Sequence, residues 1–411
     1  MKNSKKLIFC ASVVSILFFF EVFFLAASSQ DTGPTALAET KIVQFGVLES
    51  VTGWFTPHDL PDWHEVQVAA DLINERGGVN VKGEKYQIEL ILEDGKSTLD
   101  GVASATNRLV FEKGVKFIVG PAAFFSAAVA PITNPNKVIN VLAFCTNQPY
   151  ELDKNTPYAF VGYNSSVGEA LATIIFLKKQ YPEVKKLAFV TPDDGAIPYL
   201  TPIVKRLFAE NGMSMVGDPI GYSNEATDFN PIAAKINAVK EADGIFHLNG
   251  IAPQIASIVK GLRNLGNKKP YAGIIPSVLD DVVAIAGKDA TKDVFMCGAT
   301  PLDPGNTPLM NEMGKRITTK YGKNESIYLQ GANSLWVLVQ AIEAAQSLDP
   351  TVVKDKWETL EEVETFQGTG RMCGDETYGI KHHAVSHPQP FQMLKDGKVI
   401  NAGLVDPGVI P

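Results

Sequence analysis

Residues 41–78 read KIVQFGVLESVTGWFTPHDLPDWHEVQVAADLINERGG, and the fold follows from how that stretch divides. Ile42–Leu48 is apolar enough for a buried strand, and Glu49–Pro61 carries the Gly and Pro of a loop. From Asp62 to Arg76 the period changes: Val66, Ala69, Ala70 and Ile73 share one helical face. Asp62 with Glu65 reads as a capping pair, and Gly77-Gly78 stops the helix.

The rhythm continues to Ala143. In Tyr86–Glu93, Ile88, Leu90 and Leu92 alternate with Gln87, Glu89 and Ile91, the period of a strand. A helix over Leu99–Lys113, a strand at Val115–Val119, a turn at Gly120-Pro121, a short helix and a strand at Lys137–Ala143 follow. Strand and helix alternating in right-handed crossovers predict a doubly wound parallel sheet. Ligands of such sheets sit beyond the carboxyl ends of the strands. Here those ends carry Trp54, Phe55, Phe124, Phe125 and Phe144, a candidate floor for a ligand.

After a polar linker at Tyr150–Thr156 the pattern begins again. Strands are expected at Tyr158–Tyr163, Lys185–Val190, Met213–Ile220, Asp243–Leu248, Tyr271–Ile275 and Val294–Cys297. Helices are expected at Val167–Gln180, Tyr199–Glu210, from near Pro231, and at Pro253–Asn264, with a loop at Pro276–Asp281. Helices return at Leu309–Tyr321, Tyr328–Gln346 and Val352–Glu361. A Gly-rich polar stretch (Phe366–Tyr378) and a hairpin about Asp396-Gly397 close the chain. A chain of 411 residues is long for one core, so two α/β lobes are expected.

The first 38 residues read as an export signal. Lys2, Lys5 and Lys6 precede an apolar run from Leu7, interrupted by Glu21 and ending near Ala27. Small-residue patterns place cleavage after residue 28 or residue 38, and an uncleaved anchor is the other reading, against which Glu21 counts. Net charge is −8, and residues 1–38 hold three lysines against Glu21 and Asp31, so the remainder is one unit more negative. With no basic cluster, nucleic acid is not an expected partner. Cys145, Cys297 and Cys373 cannot all pair and show no CxxC spacing, so no disulfide framework is expected.

Catalytic patterns fail one by one. Asp94-Gly95-Lys96-Ser97 imitates a phosphate loop, but Leu90 stands where its first Gly is needed. No GxGxxG follows the first strand, His64-Glu65 lacks a second His at Val68, and no GxSxG elbow occurs. His382, His383 and His387 lie on an extended segment and stand too far apart for one tetrahedral ion. Asp193-Asp194 before Gly195 reads as a helix cap. No catalytic residue, metal site or cofactor is expected, and the protein reads as a binder rather than an enzyme.

The order and spacing of several segments resemble the leucine/isoleucine/valine-binding family of periplasmic receptors. They are Thr52-Gly53, Ala69–Asn74 with Gly77-Gly78-Val79, Glu89–Asp94, Gly114–Pro121, Phe189–Gly195, Tyr328–Ala345 and Phe366–Gly370. The resemblance implies an α/β fold, two doubly wound parallel-sheet lobes joined by three crossover strands. The crossings would fall near Tyr158–Tyr163, Val294–Pro301 and His383–Pro390. Lobe one would be 39–161 with 297–384, and lobe two 162–296 with 385–411.

It further implies a periplasmic substrate-binding protein, acting as a monomer with the permease and ATPase subunits of an ABC importer. Its ligand would be a small carboxylate, first a branched-chain or aromatic amino acid. Aromatic or other small acids, amides, or a signalling role are the alternatives. The ligand carboxylate would be held by main-chain donors at Ala123 and Phe124 and by Thr146, with Ser126 the hydroxyl of that loop. Its ammonium would meet Asp280 or, less favoured, Asp194. Tyr163, Asn249 and Tyr199 are further loop-end candidates, and Trp54, Phe55, Phe124 and Phe144 would cover the apolar body.

Overall fold

The computed structural model describes residues 41–143, 151–193, 195–274, 279–297, 305–322 and 327–410. The expected signal segment, Phe144, Cys145, Thr146, Asp194 and the crossing residues 298–301 lie outside the described residues.

The first sheet is built from β1 (Lys41–Glu49), β2 (Val79–Val81), β3 (Glu84–Asp94), β4 (Phe117–Val119), β5 (Ile139–Leu142) and β6 (Ala159–Val161), in the order β2-β3-β1-β4-β5-β6. All neighbours are parallel except the β2–β3 hairpin. That hairpin, absent from the expected elements, turns on Lys82 (φ 54°) and Gly83 (φ 80°). α1 (Thr56–Glu75), α2 (Leu99–Asn107, continued by a wider turn to Glu112) and α3 (Ser126–Thr133) connect its strands.

The second sheet contains β7 (Lys186–Pro192), β8 (Ser214–Met215), β9 (Ile220–Tyr222), β10 (Gly244–Leu248), β11 (Tyr271–Ile274) and β12 (Val294–Cys297). Its helices are α4 (Ser166–Gln180), α5 (Ile197–Glu210), α6 (Asn230–Ala238), α7 (Ala252–Asn264) and α8 (Leu279–Ala286). The chain then returns beside the first sheet with α9 (Pro308–Tyr321), α10 (Gln330–Ala345) and α11 (Pro350–Trp357). A small antiparallel sheet of β13 (Glu362–Thr365), β14 (Gly368–Cys373) and β15 (Ala384–Ser386) encloses the short helix α12 (Asp375–Tyr378). Finally β16 (Gln389–Lys395) and β17 (Lys398–Val405) add two antiparallel strands to β12.

Three expectations need correction, and one stretch left without an element gains one. α1 begins at Thr56 rather than Asp62, so Asp62 and Glu65 are not its caps. Pro57 occupies the first turn, where no amide is needed, and Pro61 costs one bond without ending the helix. The expected strand at Met213–Ile220 is two short ones, separated around Gly217 (φ 71°). The Gly-rich stretch after Phe366 is ordered as β14, paired on both sides. Asp280 lies not in a loop but in the first turn of α8, where acidic residues suit the helix dipole.

α10 carries the packing of the first lobe. Leu335, Val337, Leu338, Ala341 and Ile342 are fully buried against α1 and the sheet, and Trp336 meets the Phe366 ring at 5.1 Å. Gly331 lets the two helices approach, since a Cβ there would strike the Asp62 carbonyl.

Candidate functional site

The carboxyl ends of β1, β3 and β4 form one edge. After β1 the chain is stitched to the end of β3: the Thr52 hydroxyl donates to Asp94 Oδ2 at 2.6 Å, and Ser97 Oγ donates to the Thr52 carbonyl at 2.9 Å. The Trp54 indole donates to the Ser97 carbonyl at 3.0 Å, and the Phe55 amide donates to Ser97 Oγ at 3.0 Å. These bonds fix two aromatic side chains where β4 ends.

There the rings meet. Phe55 lies 5.0 Å from Trp54 and edge-on to Phe124 at 5.1 Å, while Trp54 stacks on Phe124 at 6.3 Å. Phe125 touches Phe124 at 4.5 Å and Phe55 at 6.5 Å. Phe55 and Phe125 are buried, Phe124 is half-buried, and Trp54 is 55% exposed. Ala123 is buried in the 3₁₀ turn that leads into α3. Ser126 opens α3, and its buried hydroxyl has no partner among the described residues.

The other candidates are spread along the second sheet and the crossovers. Tyr163 is buried, donates to Gln389 Oε1 at 3.0 Å, and stands edge-on to His387 at 4.6 Å, so it ties two crossover segments. Asn249 ends β10 with φ 64°, its amide donating to the Ile274 carbonyl and its Oδ1 accepting from Ser166 Oγ at 3.3 Å. Tyr199 is half-buried, and burial, then the Glu151 charge, pushes its phenol to about 12. Asp280 is exposed. Trp54, Phe55, Ala123 and Phe124 thus come together. Asp280 and Asn249 belong to the second sheet's side.

Beside the rings lies a group that the sequence does not bring together, since Asp62 and Glu65 read there as helix caps. Glu49, Asp59, Asp62 and Glu65 are all fully buried. Asp59 Oδ2 accepts the Ser50 amide at 2.8 Å, and Glu65 Oε1 accepts the amides of Tyr328 and Leu329 at 2.5 and 2.6 Å. Neither oxygen of Glu49 has a hydrogen-bond partner among the described residues. The basic group beside them is His58, with Nδ1 3.9 Å from Asp59 Oδ1 and 3.8 Å from Asp62 Oδ2. The His58 ring is stacked between Phe55 at 5.0 Å and Tyr328 at 4.7 Å, which joins the acids to the aromatic cluster.

Burial raises all four carboxyls. Glu49 and Asp62 are driven well above the usual range by desolvation, then by the neighbouring carboxylates. Asp59 is raised by burial against the opposing pull of His58 and Ser50. Glu65 is raised to about 7 by burial, against the opposing pull of the amides at the start of α10. The signal for this face was the spacing: 59, 62 and 65 continue the buried helical face of Val66, Ala69 and Ile73.

Two of the crossover histidines direct ring nitrogens at the fold itself. His383 Nδ1 faces the Ala159 carbonyl at 2.6 Å and Nε2 faces Glu358 Oε1 at 3.0 Å, while His387 Nδ1 lies 2.9 Å from the Pro388 carbonyl.

The sequence profile of the family described as periplasmic binding protein matches residues 42–398. A Leu/Ile/Val-binding protein homolog 1 of Brucella suis biovar 1 is 24% identical over 292 residues, covering 70% of this chain and 74% of that protein. Among solved structures, the branched-chain amino acid substrate-binding protein LivJ of Streptococcus pneumoniae, in complex with isoleucine, superposes with a TM-score of 0.70 at 21% identity. It covers 89% of this chain and 100% of that one. A solute-binding protein of R. palustris in complex with benzoate gives a TM-score of 0.69 at 15% identity, over 90% and 98% of the two chains. Similarity at this identity establishes the shared fold.

Proposed function

The chain belongs to the periplasmic binding protein family, and from that premise we propose that it is the solute receptor of an ABC importer, closing two lobes on a small carboxylate with an apolar body. Branched-chain and aromatic amino acids come first. The observation that carries this reading is the ring cluster of Trp54, Phe55 and Phe124 beside the Ser126 hydroxyl, which has no partner among the described residues. Rings cover an apolar body, each buried contact contributing about 1.5–3 kcal/mol. The turn from Ala123 into α3 offers main-chain amides and a hydroxyl to a carboxylate.

In this reading residues 39–161 with 297–384 form lobe one, and 162–296 with 385–411 form lobe two. The receptor is exported by residues 1–38, works as a monomer, and hands its unaltered ligand to a permease driven by an ATPase. None of the described helices is long and apolar enough to cross a membrane. Relatives are named as binding proteins, which supports a receptor rather than an enzyme. A calorimetric screen of leucine, isoleucine, phenylalanine and benzoate tests the reading. Binding of one or more supports it, whereas binding of sugars or inorganic cations alone contradicts it.

A further inference from the structure

The three acids on the inward face of α1 have an independent counterpart in Glu49, the last residue of β1. Glu49 is fully buried, and both its oxygens are unbonded among the described residues. It is aimed at the acidic face: it lies against Gly120, where a Cβ would strike Oε1, and within electrostatic reach of Asp59, Asp62 and Glu65. Gln330, which opens α10 beside the amides that hold Glu65, is also fully buried with neither side-chain polar atom bonded among the described residues. Buried polar groups are normally bonded, and buried charges are normally paired. The unmet oxygens of Glu49, set among three more buried carboxyls at the carboxyl edge of a sheet, suit a donor that carries positive charge, whose approach would displace the protons that burial favours on these acids.

Resting on the receptor reading above, we propose that Glu49 and the acidic face of α1 take the ammonium group of the solute. The chemistry favours an organic ammonium over a metal ion. A metal needs its oxygens within about 2.0–2.6 Å of one point. No three His, Cys, Asp or Glu side chains among the described residues converge in that way. An ammonium group instead sends separate N–H donors to separate acceptors at about 2.7–3.2 Å.

The neighbouring rings agree with this. Phe55 and Tyr328, stacked on either side of His58, bring aromatic faces close to the acids, and aromatic faces attract cations. The same Phe55 joins Trp54 and Phe124, so one solute can set its ammonium toward the acids and its apolar body on the rings. Asp280, the expected partner, is exposed, and a pair formed there would be screened by water.

Calorimetry on the purified protein with matched probes tests the assignment. The probes are phenylalanine against 3-phenylpropanoate, leucine against 4-methylpentanoate, and phenethylamine. The amino acid of each pair is expected to bind about 30-fold tighter or more than its deamino partner. Glu49→Gln and Asp62→Asn are each expected to cut that ratio below about threefold, while Asp280→Asn leaves it unchanged. Equal binding of amino and deamino acids overturns the subsite but leaves the receptor reading standing. So does a ratio that survives both Glu49→Gln and Asp62→Asn but falls in Asp280→Asn. Binding of phenethylamine alone keeps the subsite and overturns the carboxylate half of the receptor reading. Binding of none of the probes overturns both. The ratio in the unaltered protein needs no variant, so a variant that fails to fold does not shield the proposal.

Discussion

His383 Nε2 lies 3.0 Å from Glu358 Oε1 while its Nδ1 faces the Ala159 carbonyl, so one ring bridges the first crossover and the end of α11. The ring also stacks on Phe160 at 4.0 Å, and Phe160 stacks on Trp357 at 4.0 Å. The His383 and Lys354 partners hold Glu358 at about 2, below its ordinary value of 4.5. A carboxyl lowered on folding contributes stability above its unfolded value and loses it as pH falls through the folded one. Thermal melts from pH 6 to pH 2.5 should therefore fall less in Glu358→Gln than in the unaltered protein, from a lower starting point. Parallel pH profiles would show that the pair contributes nothing.

The buried acids act in the opposite sense. Their carboxyls are raised on folding, so the folded chain holds protons that the unfolded chain releases. Stability from this source is present below the ordinary carboxylate range and is lost as pH rises through the raised values, about 7 for Glu65. Urea unfolding at pH 5 and pH 8 should show lower stability at pH 8. Glu49→Gln should narrow the gap, and an unchanged gap would remove Glu49 from the linkage.

Much of this could be read from residue order. β12 was found with its bounds, and the Asp396-Gly397 hairpin turns with φ 50° and 71°. What escaped shares one cause, burial by partners distant in sequence. α1 starts at Thr56 because its first turns bury His58, Asp59 and Asp62 rather than apolar groups, so an apolar period begins too late. β14 is held by β13 and β15, which local composition does not reveal. Glu49 and Asp59 read as loop residues and Asp62 and Glu65 as caps, until α1 is extended back to Thr56 and the amide of Leu329, ahead of α10, meets Glu65.

A closed hydrogen-bond chain in the second lobe gives a third test. Tyr222 donates to Gln254 Oε1 at 3.0 Å, so it accepts from His247 Nε2 at 2.7 Å. His247 Nδ1 then accepts from the Tyr271 hydroxyl at 2.5 Å. Burial lowers the imidazole to about 3, which keeps it neutral. Tyr271→Phe leaves Nδ1 buried without a donor and should cost about 1–3 kcal/mol. Chemical denaturation measures it, and a change below about 0.5 kcal/mol would contradict the chain.

Trp54 separates binding from folding. Its side chain is 55% exposed, so Trp54→Ala should cost little beyond its hydrogen bond to the Ser97 carbonyl, about 0.5–1.5 kcal/mol, and leave the fold intact. Affinity for the solute should fall at least several-fold, because the ring stacks on Phe124 where the apolar body is proposed to sit. Titration calorimetry beside a thermal melt reads both. Unaltered affinity would place the ligand elsewhere.

Closure of two lobes on a solute would shift an open–closed equilibrium. Small-angle X-ray scattering of the purified protein, alone and at about one hundred times the dissociation constant of the tightest-binding probe, tests it directly. The same occupancy should add about 2.7 kcal/mol of stability by mass action. A smaller radius of gyration is expected with ligand than without. An unchanged radius at saturation would contradict closure.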